Sequence, residues 1–179
     1  MRGAIVLAGG PSRRMGRDKP LIKVAGVPLV VRVVHAAREA AAEVVVVTKT
    51  TQVDSLRSVL PGAVALRTDA GRIQSPLVGF VAGADVLTSE YVAFLPCDLP
   101  LLSPVLLYAL FTAAEGHDAA MEALEAGDRA NTDLIRRLLD VVYVPVEELR
   151  TVDPELDSFV NVNTPADLKA AQRRLRSRE

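Results

Sequence analysis

Continuous apolar runs recur along the first half of the chain, at residues 3–8, 44–48, 63–67 and 91–95. None of them alternates with polar residues, so each predicts a strand covered on both faces, as in a parallel sheet. Between them, residues 28–42, 51–59 and 76–87 carry the spacing of helices. This β-α-β-α order predicts right-handed crossovers and an α/β fold, an open, doubly wound, mostly parallel sheet with helices on both faces. Ligands of such sheets sit beyond the carboxyl ends of the strands. Gly9-Gly10 and Asp98 both fall just past such ends, so the pattern places them on one cleft.

The second half is less regular. Residues 103–115 predict a helix, and 121–138 another, interrupted near Gly127. Residues 141–145 predict a short strand whose proline suits an end or an edge. Asp153-Pro154-Glu155 predicts a turn. Thr164-Pro165-Ala166-Asp167 opens a last helix, with a Thr cap, Pro at the first position and an acid three residues after the cap. The cap accounts for Thr164 and Pro165 but not for Asn161 and Asn163 just before them.

Composition narrows the function classes. The chain has 179 residues, half of them hydrophobic, which suits one domain with a sizeable core. Residues 1–179 are expected to form that one domain. A net charge of −1 gives no global attraction to nucleic acid, and the absence of Trp removes the strongest base-stacking residue. A single cysteine excludes an internal disulfide and fits a reducing, cytoplasmic compartment. The apolar start is too short for a signal peptide, and no run approaches the roughly 20 apolar residues that span a bilayer.

The positive charge is local instead. Gly9-Gly10 is followed by Ser12, Arg13, Arg14, Arg17 and Lys19. Bare backbone N–H groups beside glycine and a cluster of cations make a cradle for a small polyphosphate. The glycines alone fit a tight strand-to-loop connection equally well. The loop is not a Walker A motif, because Gly16-Arg-Asp-Lys19 stands where Gly-Lys-Ser/Thr would be. Asp98 follows an apolar strand and is the candidate ligand for Mg²⁺, with Mn²⁺ as a substitute ion. Magnesium takes one or two carboxylates and fills its octahedron with phosphates and water. Arg13 and Lys19 are candidates for offsetting charge on the reacting phosphates. Lys23, His35 and His117 read as surface or structural residues, and Cys97 as a small buried side chain.

Three segments together carry a family resemblance: Leu7-Ala-Gly-Gly-Pro-Ser-Arg-Arg-Met-Gly-Arg-Asp-Lys-Pro-Leu21, Pro96-Cys-Asp-Leu-Pro100 and Asn161-Val-Asn-Thr-Pro-Ala-Asp-Leu168. They resemble the nucleotidyltransferases of the molybdenum cofactor guanylyltransferase type, which have a Rossmann-like fold. The resemblance implies transfer of GMP from GTP to molybdopterin, with release of pyrophosphate. It implies that Leu7, Ala8, Gly9, Gly10, Ser12, Arg13, Lys19, Asp69 and Asp98 bind nucleotide, that Asn161 and Asn163 face the acceptor, and that the domain divides into a nucleotide-binding half, about 1–100, and an acceptor-binding half, about 101–179. It further implies transient contact with molybdoenzymes or other cofactor-biosynthesis proteins. The chain departs from the family pattern in three places. It lacks an extra basic and aromatic segment after residues 118–120, it has Ser75-Pro76-Leu77 for Gly-Pro-Leu, and its second strand ends Thr48-Lys49 instead of on an amide-bearing residue. A transferase using CTP, or acting on a sugar or polyol phosphate, and a non-catalytic nucleotide-binding accessory protein are the competing readings.

Overall fold

The computed structural model describes residues 1–9, 18–68, 76–117, 119–122 and 141–177. Four strands, β1 (Arg2–Leu7), β4 (Glu43–Thr48), β5 (Ala65–Thr68) and β6 (Tyr91–Pro96), form a fully parallel sheet in the order β5-β4-β1-β6. The expected open, doubly wound sheet is therefore present. Side-chain alternation explains why both faces had to be apolar. Ala4, Val6, Val46, Leu66 and Leu95 point to one face, where they pack with Val30, Val33, Val34 and Ala37 of α1 (Leu29–Ala40) and Leu107 and Phe111 of α4 (Pro104–Ala114). Ile5, Val45 and Val47 point to the other face, under α3 (Pro76–Ala84). There Phe80 meets Phe94 edge to face, with ring centroids 5.3 Å apart.

α3 lies close because it has glycines where it crosses the sheet. A Cβ on Gly83 would stand 2.8, 2.9 and 3.0 Å from three side-chain atoms of Ile5, and one on Gly79 would stand 2.6 Å from Leu7 Cδ2. Strand order then sets the site. The chain runs outward from β1 through β4 to β5, by way of a 3-10 turn at Thr50–Gln52 and the short helix α2 (Val53–Arg57). It then returns through α3 to place β6 on the other side of β1. The carboxyl ends of β1 and β6 thus flank the point where strand order reverses, where open α/β sheets bind ligands.

Two elements between β1 and α1 escape the hydrophobic pattern. β2 (Lys23–Val24) and β3 (Val27–Pro28) form a minimal antiparallel hairpin. Ala25 and Gly26 both have positive φ, 48° and 78°, as a two-residue hairpin turn of matching twist requires. Pro28 keeps an extended ψ of 145°, so α1 begins one residue later than its periodicity suggests.

The second half corrects one expectation. Residues 119–122, expected to run into a helix from Met121, form β7 (Ala119–Glu122), which pairs in parallel with β8 (Val141–Val144). A β-branched partner strand satisfies this backbone, and that tertiary pairing overrides the helical preference of Ala-Ala-Met-Glu. The rest of the helix expected over 121–138 lies outside the described residues. α5 (Val146–Val152) follows β8 and was not legible as a helix; Leu149 packs with Leu106 and Val144 in a separate small core. The last helix, α6 (Pro165–Arg176), has the expected Thr164 cap as a complete capping box. Among the described residues no helix is long and apolar enough to cross a membrane.

Candidate active site

Three chain segments far apart in sequence meet beyond the carboxyl ends of β1 and β6. β1 hands the chain to Ala8 and Gly9. Ala8 is fully buried, and its N–H donates to Val47 O at 2.7 Å. Gly9 lies against the end of β4, where an added Cβ would sit 3.5 Å from the backbone nitrogen of Lys49. On the other side, Cys97 N–H donates to Leu7 O at 3.0 Å, which carries the β1–β6 ladder one step further and sets the height of Asp98.

Asp98 receives Lys19. The lysine lies in a 3-10 turn (Lys19–Leu21) closed by Leu21 N–H and Ile22 N–H donating to Asp18 O and Lys19 O. Its Nζ donates to Asp98 Oδ2 and, at 2.6 Å, to Asn163 Oδ1. The Lys19 and Asp98 side chains are 18% and 13% exposed, so the pair is shielded but reachable. Asp98 Oδ1 is buried and has no hydrogen-bond partner among the described residues. An orphaned, buried carboxylate oxygen is costly unless a further ligand meets it. Among the described residues no three His, Cys, Asp or Glu side chains converge on a metal position. A hard divalent cation bound by one carboxylate, with phosphate and water completing its shell, fits this donor set.

Asn163 arrives by packing. Val162 N–H donates to Asp98 O at 3.0 Å, and the Val162 side chain is fully buried with Val24, Leu29 and Ala171. Asn161 and Asn163 flank it and are both exposed. Asp167 Oδ2 accepts from the N–H groups of Asn163 (2.9 Å) and Thr164 (2.7 Å). The Asp167 carboxyl is consequently held below its ordinary value, chiefly by the Asn163 N–H and the Thr164 side chain. The β2–β3 hairpin, which Lys19 leads into, shares this small core with α6 through Val24. Loop and C-terminal segment are thereby tied together.

Of the residues expected at the site, Leu7, Ala8, Gly9, Lys19, Asp98, Asn161 and Asn163 are described, and the side chains of Lys19, Asp98 and Asn163 touch. Gly10, Ser12, Arg13 and Asp69 lie outside the described residues. Lys23, His35 and His117 are exposed. Cys97 is buried, and its thiol is pushed up to about 12 by that burial and by neighbouring Asp98, partly offset by Lys19. A thiol so protonated is no nucleophile at neutral pH. A cavity of about 700 Å³ lined by Met1, Arg2, Glu90, Tyr91 and Glu115 opens at the opposite, amino end of the strands. Sequence reasoning missed Asp18, Thr48 and Gln52, which stand together behind Lys19. The available signal was a Thr closing an otherwise apolar strand run.

This geometry has relatives. Residues 4–154 match the family model described as MobA-like NTP transferase domain. The chain belongs to the MobA-like NTP transferase family. It is 32% identical to a probable molybdenum cofactor guanylyltransferase of Natronomonas pharaonis, over 97% of this chain and 98% of that one. It is 31% identical to a protein of the same description from Methanosarcina mazei, over 94% and 88% of the two chains. Among solved structures it resembles molybdopterin-guanine dinucleotide biosynthesis protein A of Archaeoglobus fulgidus. The TM-score there is 0.81 at 29% identity, covering 99% of this chain and 100% of that one. As a MobA-like transferase, the protein places its lysine and aspartate at the crevice where its sheet reverses order.

Proposed function

We propose that this MobA-like transferase moves the GMP of GTP onto the terminal phosphate of molybdopterin and releases pyrophosphate. The observation that carries this reading is the convergence of Lys19, Asp98 and Asn163 at the switch point, with one Asp98 oxygen left to a cation. The names borne by its relatives in the family supply the acceptor and the base.

In the proposed reaction an acceptor phosphate oxygen attacks the α-phosphorus of the triphosphate. The bond from that phosphorus to the bridging oxygen breaks, and its electron pair leaves with pyrophosphate. A phosphate monoester is already largely ionised near neutral pH (second pKa about 6), so the attacking oxygen needs no general base. Lys19 offsets charge on the transferring phosphates, as does Arg13 from the loop. The backbone of residues 7–10 lies against the nucleotide, where glycine permits close approach. Asp98 would hold Mg²⁺, with Mn²⁺ as a substitute, and the ion would supply charge neutralisation to the reacting phosphates. Asp69 joins the nucleotide side, and Asn161 and Asn163 face the acceptor.

The test is pyrophosphate release by purified protein given GTP, CTP, ATP or UTP, with magnesium and molybdopterin. Release with GTP alone supports the proposal. Release with CTP would move the protein to a cytidylyl transfer. Magnesium-dependent GTP binding without release, in the presence of a competent acceptor, would make it a nucleotide-binding accessory protein.

A further inference from the structure

Behind Lys19 stands a line of polar side chains for which the nucleotide reading has no use. Thr48, the last residue of β4, is fully buried, and its Oγ1 donates to Gln52 Oε1 at 3.3 Å. Gln52, 8% exposed, in turn donates from Nε2 to Asp18 Oδ1 at 3.1 Å. Asp18 immediately precedes Lys19, and its carbonyl closes the 3-10 turn that carries the lysine. The contacts therefore run from Thr48 through Gln52 and Asp18 to Lys19, and on to Asp98 and Asn163, across the carboxyl ends of β4, β1 and β6.

The chemistry of each link is directional. Using its hydroxyl proton on Gln52 Oε1, Thr48 settles which end of the amide faces which neighbour. The NH₂ end is left for the Asp18 carboxylate, a charge-assisted bond of the stronger kind. A buried amide with both ends engaged has one orientation, so its neighbour has one position. The 3-10 turn passes that position to Lys19, whose long side chain would otherwise sample many rotamers.

We propose that Gln52 is a positioning residue for Lys19, acting through Asp18 and itself oriented by Thr48. It touches no reacting atom. Its role is to hold the lysine turn so that Nζ lies between Asp98 and Asn163 before a triphosphate arrives. The inference rests on the nucleotide-binding reading of the site and names a residue which that reading does not include.

The experiment measures calorimetric affinity for magnesium GTP in the wild type and in three variants: Gln52→Glu, Gln52→Met and the double exchange Asp18→Asn with Gln52→Glu. Gln52→Glu sets two carboxylates against each other, and Gln52→Met removes both hydrogen bonds at similar volume. Each is expected to weaken binding about tenfold or more. The double exchange reverses donor and acceptor at constant net charge. The amide introduced at position 18 donates to the carboxylate introduced at position 52, which still accepts from Thr48. This exchange is expected to return affinity to within a few-fold of the wild type. Thermal melting is followed in parallel, and where Gln52→Glu alone loses its fold the Met variant and the exchange carry the test. Wild-type affinity in Gln52→Met, or a folded double exchange that binds no better than Gln52→Met, overturns the inference alone. No binding by the wild type overturns the nucleotide reading, and this inference with it.

Discussion

Lys19 and Asp98 are 79 positions apart in sequence, and the ammonium of one is bonded to the carboxylate of the other. The pair is close to neutral, which bears on how a cation and a triphosphate enter. A divalent ion approaching Asp98 alone meets the lysine already there, and like charges at such range repel. In the proposed reaction a triphosphate would draw the lysine towards its oxygens and free the carboxylate for the ion.

Lys19→Met should therefore split two measurements. Turnover is expected to fall roughly 10²–10³-fold, the usual cost of removing one group that offsets developing charge. Affinity for Mn²⁺ without nucleotide, read by electron paramagnetic resonance, should rise, by about tenfold. Unchanged metal affinity would show that the lysine does not compete for the carboxylate. Asp98→Asn should abolish metal-dependent triphosphate binding while the protein stays folded.

Asn163 accepts from Lys19 and donates its own backbone N–H to Asp167. Because the Asp167 carboxyl lies below its ordinary value of 3.8 in the folded protein, its contribution to stability is fully present above about that pH. It is lost as pH falls further, through the lowered folded value. Asp167→Asn should remove this acid-side dependence and leave a helix start that is weaker at neutral pH. Denaturant titrations from pH 7 down past the lowered folded value would check it, as curves for wild type and variant that converge at the acid end.

Asp153 is a buried acid, 5% exposed. Its two oxygens accept from the N–H groups of Asp157 (3.1 Å) and Ser158 (2.9 Å), while Asp157 pairs with Arg174 of α6. Ser158 Oγ accepts from Ser103 N–H at 2.9 Å, which ties this turn to the start of α4. Asp153→Ala leaves two buried donors without a partner, at a cost of about 3 kcal/mol. For a chain of this length that corresponds to a melting point lowered by roughly 6–12 °C. Calorimetry showing a shift of only a degree or two would mean that water replaces the carboxylate.

Gly83→Ala pits helix propensity against space. Alanine gains about 1 kcal/mol over glycine inside a helix. Here the new methyl meets Ile5, a fully buried β-branched side chain with nowhere to move. Overpacking at about 1–3 kcal/mol outweighs the gain, so the substitution should lower the melting temperature. A stabilised variant would mean that α3 can lift from the sheet at little cost.

The sheet was legible because a strand covered on both faces must be apolar along its covered length, as residues 4–8, 44–47 and 91–95 are. Asp98 was legible because a carboxylate directly after such a strand lies at the ligand end of a doubly wound sheet. The hairpin at Val24 and Val27 was not, since two-residue strands have no period to read. Nor was β7, whose Ala-Ala-Met-Glu composition favours helix until a partner strand 22 positions away supplies its hydrogen bonds. Gln52 reads as a polar residue of the helix expected over 51–59; its burial against Thr48 and Asp18 is a fact of packing.

Residue order alone thus determined the layered α/β architecture, the basic glycine loop, and the capped helix behind Asn161 and Asn163. Those follow from side-chain period and local backbone chemistry, which neighbours in sequence carry. Tertiary structure alone decided that Lys19 should rest on Asp98 and Asn163, and that Thr48, Gln52 and Asp18 should stand behind it. Such contacts join residues up to 144 positions apart. They depend on the reversal of strand order that sets β6 beside β1, and on the small core of Val24, Leu29, Val162 and Ala171 that draws the C-terminal segment over the site.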